Sequence, residues 1–172
     1  MSSILKVSEI QDPTNGNTAL TIDSAGNMSS AGHVVQVVQE DVNTQYSANN
    51  INTQTFIRET AFTAKYANSK LIIMMNVGGC SNGGSGRLEA ACKVSTTSGG
   101  TSGTQIGKTQ MALPGAGTSH LGELNGTFEY TNTTTSTQYV KIIAYKHDST
   151  TTWYMGQYSS SSVGLTILEI AQ

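Results

Sequence analysis

The sequence predicts an all-β chain: an antiparallel β-sandwich or jelly roll preceded by a short β segment. Three observations carry this reading. No window of roughly a dozen residues places apolar side chains at i, i+3, i+4 and i+7, so amphipathic helices are not expected. Thr, Val, Ile and Tyr, which favour strands, recur along the whole chain in runs separated by polar or Gly-rich breaks. The last such run reaches the C-terminus.

The first element is a miniature. Ile4 to Ile10 and Thr18 to Asp23 each read as a short strand, and each is followed by turn residues, Asp12 to Asn17 and Ser24 to Asn27. Two such strands are marginal in water by themselves. Residues 1–32 are therefore expected to dock on the following domain, on identical copies or on a larger assembly, with Ile4, Leu5, Val7, Ile10, Leu20 and Ile22 as the apolar attachment residues. That requirement points to a component of an assembly before it points to an enzyme.

The second domain, residues 33–172, carries strand candidates over 33–42, 55–64, 70–77, 87–94, 104–111, 121–130, 138–145, 152–158 and 163–170. Leu88, Ala90, Cys92 and Val94 alternate with Arg87, Glu89, Ala91 and Lys93, which predicts one dry and one wet face. Leu124, Gly126, Phe128 and Tyr130 alternate with Glu123, Asn125, Thr127 and Glu129 in the same way. Three other runs, Leu71 to Val77, Tyr139 to Tyr145 and Val163 to Ile170, are apolar on both faces. The inner face of a sandwich strand packs on the opposite sheet, so such strands need a second cover. Contact with another subunit is the expectation, and a long loop such as Ser95 to Gly103 folding over the outer face is the alternative.

Charged residues make up only 12% of the 172 residues, against roughly 25% in ordinary domains. The polar remainder is Ser, Thr, Asn, Gln and Gly. With a net charge of −2 there is no basic field for nucleic acid. Weak repulsion between copies suits self-association and is also compatible with a monomer; an oligomer is the expectation. No apolar stretch approaches the ~18 residues of a membrane span, and no basic-then-apolar leader with a small-residue cleavage site opens the chain. The expectation is synthesis in a cytoplasm without a signal peptide, no membrane insertion, and, if the protein ends up outside a cell, release by assembly or lysis.

Cys80 and Cys92 flank the loop 81–86. In a simple hairpin centred on it, Cys92 would face Met75 and Cys80 would face Arg87, so two free thiols are expected. His33, His120 and His147 are scattered and show no metal-ligand spacing. His147 beside Asp148, and His120 near Glu123, read as solvated pairs. Ser85 lacks the G-x-S-x-G frame of a nucleophile elbow, and the acidic residues are too dispersed for calcium. No catalytic residue, cofactor or metal is expected. Tyr145, Trp153, Tyr154 and Tyr158 could stack on sugar rings of a host-surface glycan, or pack in strand pairs and trimer cores.

Ile4 to Asp12, Gly16 to Asn27 and the closing Leu165 to Gln172 resemble the openings and endings of virion structural proteins of tailed, particularly marine, bacteriophages. The resemblance covers only the two ends of the chain and includes no catalytic residue. It implies an attachment or shaft-like opening segment, and a larger domain similar to the trimeric jelly rolls of C1q and tumour necrosis factor, although no aromatic trimer-core motif of those families is matched. The expectation is a non-enzymatic virion protein, a short tail fibre or fibre-like homotrimer. Its N-terminal segment would contact other virion proteins, and its loops the host surface. The alternatives are a capsid decoration or cement protein and, in another class, a lectin-like carbohydrate-binding module.

Overall fold

A computed structural model of the protein describes residues 9–11, 18–22, 28–29, 32–48, 53–82, 86–113, 122–147, 152–156 and 162–172. Every regular element among them is a strand. Three strands, β1 (Glu9–Gln11), β2 (Thr18–Ile22) and β3 (Met28–Ser29), form a small antiparallel sheet of their own. Ile10 lies opposite Leu20, and Ile22 opposite Met28. The element is thus three-stranded rather than two-stranded, because Met28–Ser29 adds to the free edge of β2. Ile4, Leu5 and Val7 fall outside the described residues.

The larger domain contains β4 (Val34–Val42), β5 (Tyr46–Ala48), β6 (Gln54–Phe62), β7 (Lys70–Val77), β8 (Ser81–Asn82), β9 (Gly86–Ser95), β10 (Thr104–Leu113), β11 (Gly126–Thr131), β12 (Gln138–His147), β13 (Trp153–Met155) and β14 (Val163–Ile170). Eight of these build two four-stranded antiparallel sheets, ordered β10-β9-β12-β6 and β11-β7-β14-β4. The pairing is nested: β4 with β14, β6 with β12, β7 with β11, and β9 with β10. In all four ladders the midpoint between partners falls inside the loop 96–103. The chain is therefore one long antiparallel hairpin rolled over itself, which is the jelly roll.

Between the sheets lie Leu71, Ile73, Met75 and Val77 of β7, Leu88, Ala90, Cys92 and Val94 of β9, Val140, Ile142 and Ala144 of β12, and Val163, Leu165 and Ile167 of β14. Phe128 of β11 closes one side of the roll. A Cβ on Gly107 of β10 would sit 2.0 Å from its ring, so only glycine lets the two sheets meet there. At the opposite side Arg58 of β6 reaches across to Glu40 of β4.

The ladder registers fix which loops share an end. Gly32 N donates to Ala171 O (2.8 Å) and Ala171 N to His33 O (2.9 Å), so the N-terminal segment leaves beside the C-terminus. The backbone amides of Lys65 and Tyr66 both donate to the buried Glu169 carboxylate (2.9 Å each), which ties the loop 63–69 to this junction end. The loops 96–103 and 132–137 are at the same end, since Phe62 pairs with Gln138 and Ser95 with Tyr139. The far end carries the described residues 43–48, 78–82, 122–125, 152–156 and 162. A third small sheet, β5-β13-β8, belongs to it.

The strand expectations hold for the eight sandwich strands, with corrections. The run 121–130 becomes β11 only from Gly126, while Leu124 reaches the core from the preceding loop. Of the run 152–158, Trp153–Met155 form a strand of the small sheet, and residues 157 and 158 are outside the described residues. The hairpin anticipated around residues 81–86 does not form, because β7 and β9 belong to opposite sheets. Met75 instead lies opposite Gly126 and Leu165, and Cys92 opposite Gly107 and Ile142.

Both cysteines are free and buried, and Cys80 Sγ donates to Val77 O at 3.3 Å. Burial pushes both thiols up to about 12. A thiol held protonated in the core is a poor nucleophile. A disulfide-exchange reagent should therefore label neither cysteine in native buffer and both in denaturant; native labelling of either would show that its side of the core opens.

Candidate functional site

The outward faces of the two sheets are built differently, and this asymmetry locates the candidate surfaces. On β9 and β12, residues alternate inward and outward, yet nearly all are buried. Across the outer face of this sheet runs a row of cross-strand neighbours, Glu59, Lys141, Lys93 and Gln105. The expected wet face of β9 is thus dry at Glu89 (6% exposed), Ala91 (3%) and Lys93 (8%).

The cover is the loop 96–103 that links β9 to β10. Lys141 Nζ donates to Gly99 O (2.6 Å) and Ser102 O (3.3 Å). Lys93 Nζ donates to Thr101 O and Gln54 Oε1, both at 2.8 Å. The Glu59 carboxylate accepts from Gly99 N (2.8 Å) and from the Ser98 hydroxyl. A buried ammonium must find oxygen acceptors or pay a large desolvation penalty, so the two lysines hold the loop down. The second cover over β12 is therefore supplied within the chain by this loop, the alternative to the expected subunit contact.

Further along the same face, Glu89 accepts from Lys108 Nζ (3.0 Å) and Gln110 Nε2, and His147 Nε2 lies 3.5 Å from it. Tyr145 packs edge-on against His147, with ring centroids 4.4 Å apart. Burial raises the Glu89 carboxyl, but the bonds from Gln110 and Lys108, the Lys108 charge and the contact with His147 outweigh it and hold the group below its ordinary value.

Among the described residues no loop is bonded over the outer face of β11-β7-β14-β4. At the junction end it carries an apolar patch bordered by an ion pair: Val37, Leu168 and Ile72 are cross-strand neighbours, with Val34 and Ile170 in the adjoining row, and Glu129 opposite Ile72 pairs with Lys70 opposite Ile170 at 3.1 Å. Val37 is 58% exposed, and Val34 and Met74 are 40% exposed; these are the large hydrophobic side chains left open to solvent among the described residues. Toward the far end the same face turns polar. There a hollow of about 520 Å³ is lined by Gln39, Asp41, Asn76, Asn125, Thr127 and Thr166, with Gly164 at its floor and Glu123 at its rim.

The aromatic residues singled out from sequence are not gathered into one platform. Tyr145 sits on the outer face of β12, half-buried against His147. Trp153 is 1% exposed and its ring belongs to the core. Tyr154 is half-buried on β13 and lies opposite Ser47 and Ser81, while Tyr158 is outside the described residues. Of the histidines, His33 is exposed at the junction and His120 is outside the described residues, as are Asp148 and Ser85. Among the described residues no three His, Cys, Asp or Glu side chains are grouped to hold a metal ion. The hollow escaped the sequence reading because its residues come from four strands that meet only in the folded sheet. Its one local signal was Gly164 inside an otherwise apolar strand.

No family model matches the chain, and no curated protein matches it. Among solved structures, the structure of infectious bursal disease virus Gt strain is 14% identical, with a TM-score of 0.46, over 100% of this chain and 43% of that one. The crystal structure of the infectious bursal disease virus VP2 subviral particle is 13% identical, with a TM-score of 0.45, over 97% and 38%. A Bacillus endospore appendage protein of a family of disulfide-linked pili is 13% identical, with a TM-score of 0.35, over 83% and 95%. This chain spans less than half the length of the two viral chains.

Two outcomes follow for the covered face. Lys141→Met should leave loop carbonyls without donors and cost about 1.5–3 kcal/mol. Hydrogen exchange confined to residues 96–103 should rise, whereas unchanged protection would show the lysine to be dispensable as a pin. Glu89 has a depressed folded-state value, so its contribution is present above the ordinary carboxyl value of 4.5 and is lost as pH falls through the folded-state value. Glu89→Gln should lower stability near neutrality and flatten its decline in acid, as read by urea unfolding across that range.

Proposed function

We propose that this chain is a non-enzymatic structural protein of a virion, a short tail-fibre-like appendage that works as a homotrimer. The observation that carries the reading is the polarity of the jelly roll. The chain enters the sandwich at one end, where Gly32 and His33 bond Ala171, while the small sheet β5-β13-β8 and the strand ends of the longest connections lie at the other. An element anchored at one end and presenting loops at the other has the layout of an appendage.

Self-association is supported by the uncovered face. An apolar surface formed by Val34, Val37, Ile72, Met74, Leu168 and Ile170 on one sheet is a place for protein contact. It lies toward the junction end, where the N-terminal segments of neighbouring copies would also meet. The low charge of the chain leaves little repulsion to oppose that approach. The small sheet β1-β2-β3, hydrogen-bonded to neither large sheet, would then attach the trimer to other virion proteins. Three copies on one stem give multivalent contact, so weak single sites at the far end suffice for adhesion to a host surface.

Light scattering of the full chain should give a trimer, and the double variant Val37→Lys, Met74→Lys should give a monomer with an unchanged far-ultraviolet spectrum. A wild-type monomer would defeat the trimeric appendage. Removal of residues 1–31 should leave a folded domain that no longer joins particles, and electron microscopy of antibody-labelled particles should place the protein at the tail. Label over the shell would favour the decoration reading instead.

A further inference from the structure

The geometry points to the hollow above Gly164 as a binding site for a neutral sugar residue, one per copy; this deepens the proposed host contact and rests on it. The first argument is shape. Gly164 occupies a central strand of the sheet, where β-branched or large residues are the rule, and lines the hollow with bare backbone against which Asp41 packs. A Cβ there would lie 2.7 Å from Asp41 Oδ1 and 2.7 Å from the Glu40 carbonyl oxygen, so the Asp41 carboxylate already leans over the glycine. The volume, about 520 Å³, falls within the ordinary range of small-ligand sites, ~300–1,000 Å³.

The second argument is chemistry. Gln39, Asn76 and Asn125 supply amides with both donors and acceptors, Thr127 and Thr166 supply hydroxyls, and Asp41 supplies a carboxylate able to accept from two adjacent hydroxyls. Asn76 is steadied by its bond to Ser162 Oγ (3.0 Å), and Asn125 by bonds to Glu123 (3.0 Å) and to Val77 N (3.3 Å). Such a lining matches the alternating donors and acceptors of a polyol. No lysine or arginine lines the hollow, while the carboxylates of Asp41 and Glu123 do; that of Glu40 is paired with Arg58. That balance rejects uronic and other acidic sugars, because an added anion would meet carboxylates without a compensating cation.

The third argument is placement. The hollow occupies the polar, far-end half of the same face whose apolar half we assign to self-association, with Met74 at the boundary. Association through the apolar half would bring three hollows together at the end that carries the small sheet β5-β13-β8.

The test is ligand-observed NMR on the full chain with glucose, galactose, mannose and N-acetylglucosamine, and with glucuronate as the acidic control. At least one neutral sugar should show saturation transfer and glucuronate none. Asp41→Ala and Asn76→Ala, both at exposed positions, should each weaken that binding at least tenfold with the unfolding midpoint unchanged, and Gly164→Ser should abolish it. Binding that survives all three variants, or the absence of any neutral-sugar signal from wild type, would overturn the assignment. Imaging of the particle reads the virion role separately, so a protein found at the tail that binds no neutral sugar sinks this inference alone.

Discussion

Two of the buried lysines, Lys93 and Lys141, set the character of the molecule's surface. Lys93 and Lys141 are direct cross-strand neighbours on an outward face, a placement that like charges disfavour unless other groups compensate. Compensation comes from carbonyl oxygens of the loop 96–103, from Gln54, and from the cross-strand neighbour Glu59, which also holds the loop amide of Gly99. The loop that turns the nested hairpin is thereby folded back as a lid. One sheet is covered at Lys93 and Lys141 by the chain's own backbone, and among the described residues the other sheet keeps its outer face open.

That asymmetry gives the jelly roll a front and a back, and the ladder registers give it a top and a bottom. The closed junction end is tied by Glu169 to the loop 63–69 and by Gly32, His33 and Ala171 to the departing N-terminal segment. The far end holds the small sheet β5-β13-β8, whose Trp153 and Met155 reach down into the core. The open face grades between the two ends, from valine, leucine and isoleucine near the junction to amides and carboxylates over Gly164. Attachment, association and ligand contact can thus occupy separate parts of one small domain.

Much of this was legible in the residues. Period-two alternation in β11 placed Phe128 and Tyr130 against the core and Glu123, Thr127 and Glu129 in water, as observed. The alternation in β9 was equally clear, but its outcome differed at Glu89 and Lys93. Alternation assigns a side chain to a face and is silent about what a distant loop later lays over that face. The anticipated hairpin between β7 and β9 failed for a related reason. A glycine-rich loop permits a turn within one sheet and a crossing between two sheets equally well, and the nested pairing with β11 and β12 decides in favour of the crossing. The aromatic cluster dissolved because sequence proximity puts Tyr145 and Trp153 near one another in the chain, while the fold sends one to an outer face and the other into the core.

By itself the sequence determined the all-β class of the fold and the eight long strands of the sandwich. Those properties are local: propensity, periodicity and turn chemistry act over a few residues. Only the tertiary structure decided which strands pair, which of the two-sided strands is covered by its own loop, and where an open face and a hollow remain. Those properties depend on contacts between residues far apart in the chain, such as Lys141 with Gly99, Asp41 with Gly164 and Arg58 with Glu40. Their energies exist only once the hairpin has closed and rolled.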